Sequence, residues 1–311
     1  MNRQLTDVLR RYGIVIAFFL VVIALSIMSP VFLRWNNILN VIRQSSIIGI
    51  MAVGVTFVIL TGGIDLSVGS VLAAAGMIAA GSMQNGMGTT GAIFIGLGIG
   101  LACGLFNGFL VTVGKITPFV VTLGMMSIGR GITLIYSQGH PISGFSPSFR
   151  FIGGGVLFGV PFPIILFFIS VVLAWFVLTQ TRVGRYTYAV GGNEETVKLS
   201  GINSNKIKMM VYAISGLASG VSALILTSRL NSAGPTAGIA YELDVIASVV
   251  IGGTSLNGGR GSVWGTLIGA LLIAIINNGM NLLGISPYYQ QLVKGLIIIG
   301  AVLVDRLREA D

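Results

Sequence analysis

Arg182-Val-Gly-Arg-Tyr-Thr-Tyr-Ala-Val-Gly-Gly-Asn-Glu-Glu-Thr-Val-Lys-Leu-Ser-Gly-Ile-Asn-Ser-Asn-Lys-Ile-Lys208 is a polar run set between two apolar walls, Pro163–Leu178 and Met209–Ser228. The whole chain has 18 basic and 9 acidic residues, and this run holds five of the former and two of the latter. Gly191-Gly192 reads as a turn and Asn193 as an N-cap, with Glu194 and Glu195 in the positive first turn of a short helix to about Ser200. Gly201 is the stop signal at its far end. A capped helix lying in water between two membrane walls is a docking surface. The plainer reading is a positively charged cytoplasmic loop with no partner.

Working outward, 54% of the 311 residues are hydrophobic and 9% charged, which excludes a soluble core and its surface. The expected fold is an all-α polytopic membrane protein. Gly at 45 positions, without a collagen-like period, argues for helices packed closely through small residues. The net charge of +9 is scattered among membrane boundaries without interleaved aromatics, so topology explains it and nucleic acid is excluded as a partner. The single cysteine, Cys103, rules out an internal disulfide and a cysteine metal cluster.

Ten apolar blocks follow one another: Gly13–Ser29, Ser45–Leu60, Ile64–Gly81, Thr89–Gly114, Ile116–Tyr136, Pro163–Leu178, Met209–Ser228, Leu243–Gly253, Val263–Leu283 and Tyr288–Val304. The first, behind Arg3, Arg10 and Arg11, is too long for a secretory h-region and is read as a span. Several blocks fall short of the ~17–25 residues of a full crossing, as expected where helices break around a pathway. About ten spans, some short or broken, is the expected count. Eight spans with two re-entrant segments would keep the same sidedness.

With the N-terminus inside, the N-terminal arginines, Lys115, the 182–208 run, Arg260, Arg306 and Arg308 place twelve basic residues on the cytoplasmic side. Arg34, Arg43, Arg150 and Arg229 lie outside, and Arg130 and Lys294 within spans. Three to one fixes both termini in the cytoplasm. A weak internal repeat is also visible. Gly62-Gly-Ile-Asp-Leu-Ser67 echoes Gly252-Gly-Thr-Ser-Leu-Asn257, and Asn107-Gly108 echoes Asn278-Gly279.

Few groups offer chemistry. Asp65 lies between apolar blocks, where an ionisable side chain either caps a helix or lines a polar route, and the structural role is favoured. Pro235–Asp244 brings Tyr241, Glu242 and Asp244 to the start of a short block, a helix start at the membrane surface with Arg229 as basic partner. The only histidine, His140, falls in a separate loop and no nucleophile or metal motif accompanies the carboxylates, so no catalytic residue and no metal site is assigned. Gly252–Ser262 lacks the Gly-Lys-Ser/Thr ending of a phosphate loop.

Gly62–Ser70, Arg182–Asn193, Leu199–Asn203, Pro235–Asp244 and Gly252–Ser262, in this order, closely resemble the permease subunits of bacterial ribose-type ABC importers, over roughly residues 30–304. Pro235-Thr-Ala-Gly238 and Asn277–Gln290 most resemble the ribose-transporting members, while permeases for other pentoses, hexoses and the cyclic quorum-sensing sugar are similar.

The resemblance implies a multi-pass protein of the bacterial inner membrane, not itself an enzyme. Its partners would be a second copy of itself, an ABC ATPase subunit, a periplasmic sugar-binding protein and membrane lipid. No cofactor is expected on this chain, with ATP and Mg on the partner ATPase. Residues 1–311 would form one transmembrane domain and 182–208 its coupling segment, with Arg182, Gly184, Arg185, Gly191, Gly192, Asn193, Glu194, Leu199 and Gly201 at the ATPase. The path for a neutral sugar needs uncharged donors and acceptors, for which Asn107, Asn277, Asn278 and Asn281 are candidates, each with helix-to-helix hydrogen bonding as the plainer role. Loops at Gly139–Pro161 and Arg229–Ala240 are the expected contacts for the binding protein. Two other classes are weighed: an ion-coupled secondary transporter using Asp65, Glu242 and Asp244, which would need no ATPase, and a membrane enzyme, for which no reactive constellation is found.

Overall fold

A computed structural model describes the backbone of residues 3–310 and the side chains of residues 13–300, 302 and 303. The side chains of Arg3, Arg10, Arg11, Arg306 and Arg308, on which part of the charge asymmetry rests, lie outside the described residues. Among the described residues thirteen helices dominate the structure: α1 (Arg3–Met28), α2 (Trp35–Leu60), α3 (Val68–Gln84), α4 (Thr89–Thr112), α5 (Pro118–Ser137), α6 (Pro147–Gly154), α7 (Phe162–Gln180), α8 (Arg182–Gly192), α9 (Glu194–Leu199), α10 (Ser204–Leu230), α11 (Tyr241–Ile251), α12 (Val263–Leu282) and α13 (Pro287–Ala310). Four two-residue strands complete it: β1 (Ile142–Ser143) pairs antiparallel with β4 (Ser232–Ala233), and β2 (Val156–Leu157) with β3 (Val160–Pro161).

Each of the ten apolar blocks falls on a helix. Among the described residues six helices, α2, α4, α5, α7, α10 and α12, are long and apolar enough to cross a membrane, and Gly13–Met28 and Val68–Gln84 are shorter apolar segments. α11, at 11 residues, is only about 16 Å long, half a bilayer core.

The centre of the fold is α2. From Ser45 to Leu60 every residue except Ile48 is buried, enclosed by α7, α10, α11 and α12. The helix begins ten residues before the apolar block, because Trp35–Gln44 is helical although polar. Arg43, expected in an external loop, is therefore part of α2. In a bilayer the lipid tails are as apolar as leucine, so close van der Waals contact holds such helices together. One close seam joins α4 and α10: a Cβ on Gly100 would collide with the Gly216 carbonyl, and one on Gly216 with the Gly100 carbonyl.

α10 runs from one face of the molecule to the other. At its C-terminal end, Ser228 Oγ donates to Phe149 O (2.6 Å) and accepts from Gly153 N (2.7 Å), fastening α6, and Phe145 N donates to Asn231 Oδ1 (3.0 Å). The two loops expected outside are thus knitted together. At its N-terminal end lie α8 and α9.

Candidate functional site: a docking surface and a polar cavity

The 182–208 segment is two helices, α8 and α9, and the first residues of α10. Thr181 Oγ1 accepts from Gly184 N (3.3 Å) and starts α8, and Asn193 Oδ1 accepts from Thr196 N (2.9 Å) and starts α9. The short helix to Ser200, its Asn193 cap and its stop at Gly201 (φ +78) agree with the sequence. The turn expected at Gly191-Gly192 is corrected: both glycines are the last residues of α8.

Glu194 is a clasp inside the segment. Its Oε2 takes Lys208 Nζ at 2.6 Å, and its Oε1 takes Lys198 Nζ and Ser204 Oγ, each at 3.0 Å. Partial burial pushes its carboxyl up, but those hydrogen bonds and the Lys208 charge outweigh it and hold the group at about 2. Val190, Val197 and Ile207 close a small core beneath, with Tyr186 and Ile202 against it. Outside it Arg182, Arg185, Gly192 and Asn193 are exposed, and Leu199 is 85% exposed.

α8 meets the molecule's core in direct backbone contact as well as through the Tyr188 side chain. A Cβ on Gly191 would strike the carbonyl of Leu60, the last residue of α2, and the amide of Gly259. Gly259 N itself donates to Leu60 O (2.9 Å), and Tyr188 OH donates to Gly261 O (3.0 Å). Burial pushes the Tyr188 phenol up, so it stays a neutral donor. The two echoing glycine motifs meet at this point, since a Cβ on Gly258 would come within 2.7 Å of Gly62 N and 3.0 Å of Gly191 Cα.

Behind this contact, Asp65 is almost wholly buried. Its Oδ1 accepts from Ser67 N (2.9 Å) and Ser67 Oγ (2.6 Å), and its Oδ2 from Ser215 Oγ (2.7 Å) on α10. Asn107 Nδ2 on α4 donates to Ser67 Oγ (3.0 Å). Asp65 and Asn107 therefore staple the start of α3 to α4 and α10.

On the opposite face a polar cavity of about 320 Å³ opens between α2, α10, α11, α12 and α13. Its polar lining includes Ser45, Arg229, Tyr241, Asp244, Asn277 and Lys294. Asp244 Oδ2 pairs with Lys294 Nζ at 2.8 Å, so Lys294, which follows 50 residues later, is its partner in place of the expected Arg229. Glu242 points away, its Oε2 beside Gly69 on α3, while Arg130 donates to the carbonyls of Pro235 and Ala237, each at 2.8 Å.

Of the four asparagines, only Asn277 lines the cavity. Asn278 exchanges two 3.0 Å hydrogen bonds with Asn37 on α2, and Asn281 Oδ1 accepts from Gln290 Nε2 (2.8 Å). Ser45 and Gln290 are not singled out by the sequence, because a serine in an apolar helix and a polar residue at a helix start carry no signal by themselves, and Lys294, placed within a span, carries no sign there of its pairing with Asp244.

The chain is 49% identical to the ribose import permease protein RbsC of Bacillus subtilis, covering 97% of this chain and 95% of that protein. It is 51% identical to RbsC of Haemophilus influenzae, over 93% and 91% respectively. It is 41% identical to the D-allose transport system permease protein AlsC of Escherichia coli, over 96% and 92%. No solved structure matches it. Residues 37–302, which carry both the docking surface and the polar cavity, match the family described as branched-chain amino acid transport system / permease component, and the chain belongs to that family of multi-pass permeases.

Proposed function

We propose that this chain is the membrane-spanning subunit of an ATP-driven importer for ribose, working as a homodimer surrounded by lipid, with two ATPase subunits on the α8–α9 face and a periplasmic sugar-binding protein on the opposite face. Ten helices cross or enter the membrane, α6, α8 and α9 lying outside it, and both termini are cytoplasmic. The chain is one domain with residues 182–208 as its coupling segment, and the weak repeat relates its two glycine motifs. It binds no cofactor or metal, and ATP with Mg belongs to the ATPase.

The observation that carries the reading is the seating of Gly191 on Leu60 and Gly259. An exposed, rigidly capped helix pair stands on backbone that continues into α2 on one side and through the 252–262 loop into α11 on the other. At its far end α11 carries Tyr241 and Asp244, which wall the cavity. A push on α8 thus reaches the cavity through short, stiff elements, the requirement for switching access between two states.

Ribose follows from the similarity to the two RbsC proteins. The D-allose relative supports a second reading, a hexose, at the same site. The test is competition: with the full importer in liposomes, unlabelled ribose suppresses uptake of labelled ribose at lower concentration than allose does. The reverse order selects the hexose.

A further inference from the structure

The α2–α12 seam is closed by matched hydrogen bonds at both ends. Asn37 and Asn278 exchange theirs at one end, and Thr56 Oγ1 and Thr266 Oγ1 lie 2.8 Å apart at the other. Between them the pattern fails. Ser45 Oγ on α2 and Asn277 Oδ1 on α12 are both buried and have no hydrogen-bond partner among the described residues. Ser45 is 1% exposed, and both residues line the cavity.

A buried polar atom left unpaired is destabilising, because it has given up its water without gaining a partner. The rest of the seam shows that these two helices can satisfy their polar groups, so an unmatched pair facing a cavity marks a place where something else supplies the partner. The cavity's size, at the lower end of the ~300–1,000 Å³ of small-molecule sites, suits one compact ligand. Its carboxylate, Asp244, is already neutralised by Lys294. Beside the Arg229 guanidinium and the Tyr241 phenol, what the cavity offers a ligand is a hydroxyl and an amide without partners, which match the alternating donors and acceptors of a polyol.

Resting on the import reading above, we propose that this cavity is a monosaccharide subsite of the permease, in which Ser45 and the Asn277 side-chain amide take up sugar hydroxyls as the sugar enters the membrane. Two partners among many lost water contacts make a shallow site, which a conduit needs if it is to release its cargo.

The test uses the permease–ATPase complex with Cys103 replaced by serine and Ser45→Cys introduced, a nearly isosteric change. Millimolar ribose slows mixed-disulfide formation between the new thiol and a small methanethiosulfonate reagent, which releases methanesulfinate, at least threefold, and the same concentration of leucine does not. In the reconstituted importer, Ser45→Ala and Asn277→Ala each lower ribose uptake about fivefold, the loss expected for one hydrogen bond. Both complexes stay intact by size-exclusion chromatography.

No protection by ribose, with uptake by both alanine variants at the unmodified rate, overturns the subsite and leaves import standing. Protection by leucine in place of ribose overturns the sugar assignment. Protection by ribose in a complex that imports no ribose keeps the subsite and overturns the import reading.

Discussion

Gly191, the penultimate residue of α8, rests against the carbonyl of Leu60, the final residue of α2, with no side chain between them. That carbonyl also accepts from Gly259 N, so three segments distant in sequence share one backbone contact. Even a methyl group at residue 191 forces backbone to shift. Gly191→Ala is expected to lower ATP-driven uptake at least about tenfold, while Gly98→Ala, where a Cβ meets nothing within 4 Å, leaves it unchanged. The rate of uptake in proteoliposomes checks both. Equal rates in the two variants would remove this contact from the coupling route.

Leu199 projects from the end of α9 into solvent. An apolar side chain held out on a capped helix is a good anchor for a partner's groove, worth about 1.5–3 kcal/mol when fully buried there. Leu199→Ser is expected to weaken ATPase binding by one to two orders of magnitude, as about 1.4 kcal/mol is tenfold. The permease's own thermal midpoint stays in place, because Leu199 covers nothing within the chain. Titration of the purified permease with its ATPase reads the affinity.

The Glu194 clasp carries a pH signature. Its carboxyl is held at about 2 in the folded segment, below the ordinary value of 4.5. A depressed value means that its contribution is complete above pH 4.5 and is lost as the pH falls through about 2. A spin label at Leu199→Cys is expected to show constant mobility from pH 7 to 5 and rising mobility from pH 4.5 toward 2. With Lys208→Met the carboxyl loses its nearest cation, and the rise begins at higher pH. A label equally mobile at pH 7 with and without Lys208 would show that the clasp does not order α9.

Asp65 gathers three hydrogen bonds from Ser67 and Ser215 in a buried place. Asp65→Ala strands those donors and is expected to destabilise the permease by roughly 3 kcal/mol, since hydrogen bonds to a charged group are worth about 1.5–3 kcal/mol each and partial rearrangement recovers some. Asp65→Asn keeps an acceptor and loses less. Thermal unfolding in detergent ranks the two. The same pair separates a staple from an ion-coupling site: Asp65→Asn retains ATP-driven uptake if Asp65 is structural.

Local signals survived translation into structure, and long-range pairings did not announce themselves. The Asn193 cap, the first-turn glutamates and the Gly201 stop were legible because each acts within four residues. The ten apolar blocks were legible because a bilayer demands long apolar runs. α8 was not, since Gly184, Gly191 and Gly192 are poor helix formers. It forms because Thr181 caps it and its glycines allow contact with the backbones of Leu178, Leu60 and Gly259. The first third of α2 was hidden by polar residues whose partners, such as Asn278, lie across the fold. For the same reason the sequence offers Arg229 as the basic partner of the Tyr241–Asp244 cluster, while the fold brings Lys294 to Asp244.

The most direct measurement is uptake of labelled ribose into proteoliposomes holding this chain, with binding protein on one side, ATP on the other, and the cognate ATPase present or absent. The account predicts accumulation only when ATPase and ATP are both present, and none under an imposed ion gradient without them. Accumulation driven by the gradient in the absence of the ATPase would contradict it.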